Sequence, residues 1–425
     1  MKNPHYKSTL DWLHGIRFFV RIVLTFLPYA ALSTATAADW PQWRGINRDG
    51  KSTETDLLKV WPPDGPKRIW QVEALGEGHA SMAVANGRIY TTGMLEESNE
   101  GVLSAIDLQG NLLWQRKYGP EWTEGYPGAR SCPTVDGNRV YAVSGTGRIV
   151  CLDAKSGEML WSRDMTSDLG AIAPKMGFAE SPIVIGKNVY CTPGGNEVCI
   201  AALDKLTGKT VATTKSLSDK NAYCSPIYVE KGGQPLLITL TDIHLVGVDP
   251  RDCGVVWSTP FDENEELQNH SVSPIYVDGH IYVTSAHRTG GTLFTLAESG
   301  KSVTQGWSDE TLCTLHGGVV AVNGFIYGSS NLGKWVCVDI RNGQIMYEQD
   351  GVGKGSIIYA NGMLYCYGEK GDFALVEAIP DSFRVVSQFK IREGKGPHWA
   401  HPVIAGGRLY IRQNGTISAY QIKTP

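Results

Sequence analysis

The sequence predicts an all-β fold, an eight-bladed β-propeller of four-stranded blades in which an N-terminal strand closes the last blade. Three observations predict it. First, Gly 49 and Pro 21 in 425 residues scatter along the whole chain, so turns recur everywhere and long helices are not expected. Second, two short apolar strands around a tight Gly-containing turn recur, ending on a Tyr. The copies are AVANGRIY at Tyr90, PTVDGNRVY at Tyr141, PIVIGKNVY at Tyr190, PIYVDGHIY at Tyr282, VVAVNGFIY at Tyr327, IIYANGMLY at Tyr365 and PVIAGGRLY at Tyr410. Such turns between apolar runs are a strong hairpin signal. An eighth copy, PIYVEKGGQPLL, ends at Leu237 on a longer turn. Third, these anchors are spaced 51, 49, 47, 45, 45, 38 and 45 residues apart, close to the roughly 40–50 residues of a propeller blade.

In chain order, Lys2, Lys7, Arg17 and Arg21 precede an apolar run from Ile22 to Leu32, and Ala35-Thr36-Ala37 follows with the small residues a signal peptidase reads. The run falls short of the ~20 residues that span a bilayer, so residues 1–37 read as a secretory signal peptide rather than a permanent anchor. No Cys stands there for lipid attachment. Its removal leaves 35 basic against 42 acidic residues, an acidic protein expected to be periplasmic or secreted and monomeric. Even the full chain, at −4, has no basic field for nucleic acid or anionic lipid. Residues 38–66 contain no repeat; ADWPQWRGINRDGKSTE is expected to cap the ring with Trp40 and Trp43 buried against it, a binding role for these tryptophans being the alternative.

Residues 67–425 carry the propeller. After each hairpin comes a third strand and a sharp corner, with Asp153, Gly157 and Trp161 as the pattern. Asp339, Gly343 and Tyr347 repeat it, Asp249 and Trp257 keep its span, and Asp107, Gly110 and Trp114 are one residue shorter. Asp bonds its own backbone in such a turn, Gly supplies positive φ, and the aromatic on the outer strand fills the wedge between units. Eight such units leave many strand edges that only radial closure protects. The last copy ends after GTISAYQI, lacking a fourth strand, and the orphan Lys67-Arg68-Ile69-Trp70-Gln71-Val72 is expected to complete the blade of residues 400–422. A seven-bladed ring with a separate hairpin is the alternative.

Nine Cys are present, an odd number, and no CxxC occurs, which removes haem c attachment and the common zinc pairings. Cys191 and Cys199 flank a Pro-Gly-Gly-Asn turn that admits a disulfide; burial as small apolar groups is the other reading.

The strings Cys151-Leu-Asp-Ala-Lys-Ser-Gly-Glu-Met-Leu-Trp161 and Ala202-Leu-Asp-Lys-Leu-Thr-Gly208 resemble the unit of pyrroloquinoline-quinone (PQQ) repeat β-propellers, over roughly residues 67–422. WPQWRGINRDG and HGGVVAVNGFIYG resemble an exported subgroup of the planctomycete type. The resemblance implies the propeller fold and two divergent roles. Quinoprotein alcohol dehydrogenases hold PQQ and calcium on the axis, with a vicinal Cys pair that this chain lacks. Outer-membrane β-barrel assembly lipoproteins share the eight-bladed form without catalysis, and carry a lipidated Cys after the signal that is also missing here.

The loop entering each innermost strand opens on the central channel, so equal registers form a ring. Counting eleven residues back from the Tyr anchors gives His79, Arg130, Ala179, Ser271, His316, Lys354 and Trp399, and aligning the eighth copy adds Tyr223. Neighbours Glu180, Asn269, His270, His398 and His401 bring five of the ten His into this register. The candidate ligand-binding residues are His79, Arg130, Glu180, Tyr223, His270, His316, Lys354, His398 and Trp399. Arg130 and Lys354 offer fixed charge to a carboxylate, sulfate or phosphate; the histidines offer hydrogen bonds; Tyr223 and Trp399 offer faces for stacking on a sugar or planar ring; Glu180 offers a base or metal ligand. His287, Arg288 and Lys370 lie in turns on the same face. The acidic run 262–266 lacks the spacing of a calcium loop. No nucleophile elbow, phosphate loop or HExxH occurs, so no catalytic or metal residue is assigned. The expected function is binding of a small ligand, an anionic saccharide among the candidates, or of a protein partner. A PQQ- and calcium-dependent oxidoreductase and a saccharide lyase are the alternatives.

Overall fold

The computed structural model describes residues 39–424 except 216, 263–269, 287–289 and 393. The leader 1–37, Asn269, His287, Arg288 and most of the acidic run therefore lie outside the described residues. Eight four-stranded antiparallel blades form a ring, with one five-residue helix, Met165–Leu169, among the described residues. The innermost strands are Met82–Ala85, Thr134–Asp136, Ile183–Ile185, Ile227–Lys231, Ile275–Val277, Val319–Val322, Gly355–Ala360 and Val403–Ala405, here taken as blades one to eight. The expected closure is present: Arg68–Val72 pairs antiparallel with Thr416–Gln421, placing Trp70 opposite Ala419 and completing blade eight.

Neighbouring blades lock at the corners. The rings of Trp70, Trp114, Trp161 and Trp307 lie on Gly110, Gly157, Gly208 and Gly343 of the next blade, with ring carbons 2.7–2.8 Å from where a Cβ would project. The indoles of Trp70, Trp161, Trp257 and Trp307 donate to corner carbonyls of Leu108, Lys205, Gly300 and Ile340 at 2.9–3.2 Å. Several anchor tyrosines add a second tie, Tyr90 to Ala154 O and Tyr141 to Lys205 O, both at 3.0 Å. Blade three has no aromatic on its outer strand, Thr210–Lys215; Thr214 bonds Cys253 O at 2.7 Å instead.

The segment before the ring enters the hub. Trp40 exchanges backbone hydrogen bonds with Val84 of blade one, and Pro41 O accepts from Val135 N of blade two. Arg48 donates to Ser181 O and Pro226 O, just before blades three and four. Trp43 donates to Ser273 before blade five at 3.0 Å, and Arg44 donates to Val319 O of blade six. Lys51–Ser52 runs parallel to the inner strand of blade seven, and Trp43 packs on His401 before blade eight with ring centroids 4.5 Å apart. Thirteen residues, 40–52, thus touch every blade. Trp40 is buried as expected, whereas Trp43 is half-buried. Farther on, Trp61 packs among Tyr365, Phe373 and Phe389. Eight of the nine cysteines are buried thiols outside any disulfide, and Cys191 stands opposite Ala201 rather than Cys199.

Candidate functional site

The segments leading into the inner strands converge on one cavity of about 300 Å³. All eight residues of the counted register line it, in ring order His79, Arg130, Ala179, Tyr223, Ser271, His316, Lys354 and Trp399. The adjacent candidates do not. Glu180 is buried and accepts from Thr192 N at 2.6 Å. His270 is buried between Ser285 Oγ and Asp242 O, both at 2.9 Å. His398 is buried against the Tyr367 hydroxyl. Each of these three stands one place from a register residue and hydrogen-bonds into the wall instead. His401, two places past Trp399, returns to the cavity. Lys370 lies beside it, flanking a smaller hollow with Lys354 and Glu369.

The wall was incomplete in the sequence. Trp43 lines the cavity from the hub segment, and Tyr126 and Met176 line it from connections between blades. The repeats carry no signal for these three. Trp43 does stand in the Trp-Arg-Gly…Arg-Asp-Gly string, whose Arg44 and Arg48 both hold φ of 57°. That left-handed backbone is uncommon for residues with a Cβ. Gly50 and Gly318 leave the space that the Arg44 guanidinium fills, since a Cβ on either meets it.

Trp399 is the centre of the aromatic wall, with ring centroids 4.8 Å from His79, 4.7 Å from Tyr126 and 5.1 Å from His316. Glu369 holds it in place, accepting from its indole at 3.3 Å while pairing with Lys354 Nζ at 3.4 Å. Arg130 is braced by the carbonyls of Gly128 and Tyr126. Burial, with Arg130 nearby, lowers the His79 pKa to about 3; burial, with Lys354 nearby, lowers that of His316 to about 4; burial and Arg44 take His401 to about 3. All three imidazoles are neutral at pH 7, so the positive charge of the wall rests on Arg130 and on Lys354, the latter paired with Glu369. Tyr223 adopts φ of 70° at the cavity wall, and its hydroxyl accepts from Met176 N at 3.3 Å.

A calcium-bound quinone is the cofactor that the fold suggests. Calcium takes six to eight oxygen ligands, usually including carboxylates, but among the described residues no Asp or Glu lines the cavity. Among the described residues no group of three His, Cys, Asp or Glu is placed to hold a metal. The donor set does not fit that cofactor pair.

A closed eight-bladed wheel with a blocked axis and a cationic, aromatic cup defines the class: a repeat propeller that presents its site at the hub. A sequence profile described as outer membrane protein assembly factor BamB, of the PQQ-repeat type, matches residues 98–349. The chain belongs to this family of PQQ-repeat β-propellers. It is 28% identical over 127 residues to outer membrane protein assembly factor BamB of Nitrosomonas eutropha (strain DSM 101675 / C91 / Nm57), which is 29% of this chain; the match spans only 31% of that relative. The structure of BamB from Moraxella catarrhalis superposes with a TM-score of 0.62 at 14% identity, covering 84% of this chain and 98% of that one. Quinohemoprotein alcohol dehydrogenase from Comamonas testosteroni gives 0.64 at 13%, covering 91% and 81%. At such identities both likenesses speak to the fold alone.

Proposed function

We propose that this protein is an exported binding propeller whose hub cup takes an anionic saccharide and carries out no chemistry on it. One observation carries the reading: Arg130 and Lys354 share a cup with the faces of Trp43, Tyr126, Tyr223 and Trp399, and no carboxylate among the described residues lines it. Fixed cations recognise a carboxylate or sulfate, aromatic faces cover the apolar face of a sugar ring, and neutral His79 and His316 are suited to hydrogen-bonding hydroxyls. Calorimetric titration with oligogalacturonates and their neutral counterparts tests this. A charge-assisted contact contributes about 1.5–3 kcal/mol, so Arg130→Gln and Lys354→Gln are each expected to weaken uronate binding by roughly ten- to a hundredfold. Unchanged affinity in both variants overturns the reading. Incubation with PQQ and calcium is expected to give no dye-linked alcohol oxidation, and tight quinone uptake with turnover overturns the non-catalytic assignment.

Family membership favours a second reading, an envelope protein partner at the same face. The cup's rim presents Tyr126 at 52% and Met176 at 37% exposure, apolar groups suited to a protein contact. No helix among the described residues is long and apolar enough to cross a membrane. Photocrosslinkers placed at Tyr126 and Met176 test it in cells: adducts with outer-membrane assembly proteins support this reading, and their absence removes it.

A further inference from the structure

We propose that the cup reads the end of an anionic saccharide chain, with Trp43 as its floor, and does not grip a chain along its length. The inference rests on the saccharide reading above and deepens it.

The axis is blocked. Trp43 belongs both to the cavity lining and to the segment that crosses the hub. Beyond it along that segment, Arg44 and Arg48 are buried and spend their donors on Val319 O, Ser181 O and Pro226 O. A ligand that enters the cup must leave by the same mouth. At about 300 Å³ the cavity lies at the lower end of ligand pockets, room for a terminal group and not for a chain folded back on itself.

The wall is also lopsided. Going round the ring, His316, Lys354, Trp399, His79 and Arg130 are consecutive, and every one is large and polar or aromatic. The remaining arc is Ala179, Tyr223 and Ser271, with Ser225 beside them, so three of these four side chains are small. A terminal ring is expected to lie over Trp43 with its acidic group toward Arg130 and Lys354, and the rest of the chain to exit past Tyr126 and Met176.

The test is stoichiometry against chain length, using galacturonate, its trimer and octamer, and polygalacturonate, read by calorimetry and analytical ultracentrifugation. One protein bound per chain end at every length supports the inference. Protein bound per chain that rises in proportion to length overturns it while leaving the anionic-saccharide reading standing. Absence of binding by every uronate, or affinity indifferent to Arg130→Gln and Lys354→Gln, overturns both. Trp43→Ala is expected to weaken the monomer and the octamer by the same factor, at least tenfold, because both place one terminal ring on the floor. Trp43→Phe, which keeps an aromatic floor, is expected to recover most of that loss and serves as the folding control. A Trp43→Ala loss confined to long chains also overturns chain-end reading.

Discussion

At the scale of single residues, one place along the chain separates the candidates that line the cavity from those buried in its wall. Glu180 shows the consequence. Turned into the wall, it keeps one carboxylate oxygen without a hydrogen-bond partner, and burial raises its pKa from 4.5 to about 7. An acid whose folded pKa is raised stabilises the fold below its unfolded value and loses that contribution as pH climbs to the folded one. Glu180→Gln is therefore expected to match the parent near pH 4 and to exceed it above pH 7, by up to about 3 kcal/mol, in denaturant titrations at the two pH values. Equal stability at both pH values contradicts this. His79, His316 and His401 act in the opposite direction. Their folded pKa values are depressed, so the stability they confer is present above about pH 6.5 and falls away toward pH 4 and below. Midpoints for His316→Asn are expected to fall less steeply between pH 7 and 4 than those of the parent. The register residues were legible in the sequence because a repeat fixes their spacing. The exclusion of Glu180, His270 and His398 was not, because residue type and nearness to the register do not reveal the partners Thr192, Ser285 and Tyr367 that hold them in the wall.

At the scale of elements, the corner-and-wedge contact is the repeated joint. Asp153 and Asp204 each fold the turn by accepting backbone N–H groups, those of Lys155 and Ser156 and those of Leu206 and Thr207. The glycine then gives the preceding blade's indole a flat seat. Trp161→Ala is expected to cost about 3–5 kcal/mol. Gly208→Ala, at φ of 72° and with Trp161 carbons 2.7 Å from the new Cβ, is expected to cost about 1–3 kcal/mol. Thermal unfolding checks both, and a neutral Gly208→Ala removes the steric account. This joint was readable in advance because Asp, Gly and Trp each have a distinct physical task at a fixed offset. The hub segment was not, because Arg44 and Arg48 bond mainly to backbone carbonyls, which any sequence offers.

At the scale of the whole molecule, the ring is held twice, by the strand Arg68–Val72 at its circumference and by residues 40–52 at its centre. Arg48→Met keeps much of the volume but leaves several buried carbonyls unpaired, and is expected to cost about 3–5 kcal/mol. It is also expected to loosen all eight approaches together, seen as faster amide exchange around the cavity while the outer strands stay protected. Exchange confined to blades three and four contradicts that. The eightfold architecture was legible from the Tyr spacing, and closure from the orphan Trp70. The path of the hub segment was not, since no period runs through it.

The order of these parts along the polypeptide has a consequence for biogenesis. The hub segment 40–52 is made before every blade, and the strand that receives Arg68–Val72 follows the strands of the other seven blades. Closure of the wheel therefore waits on Thr416–Gln421, so a chain cut before that strand leaves Arg68–Val72 with an unpaired edge.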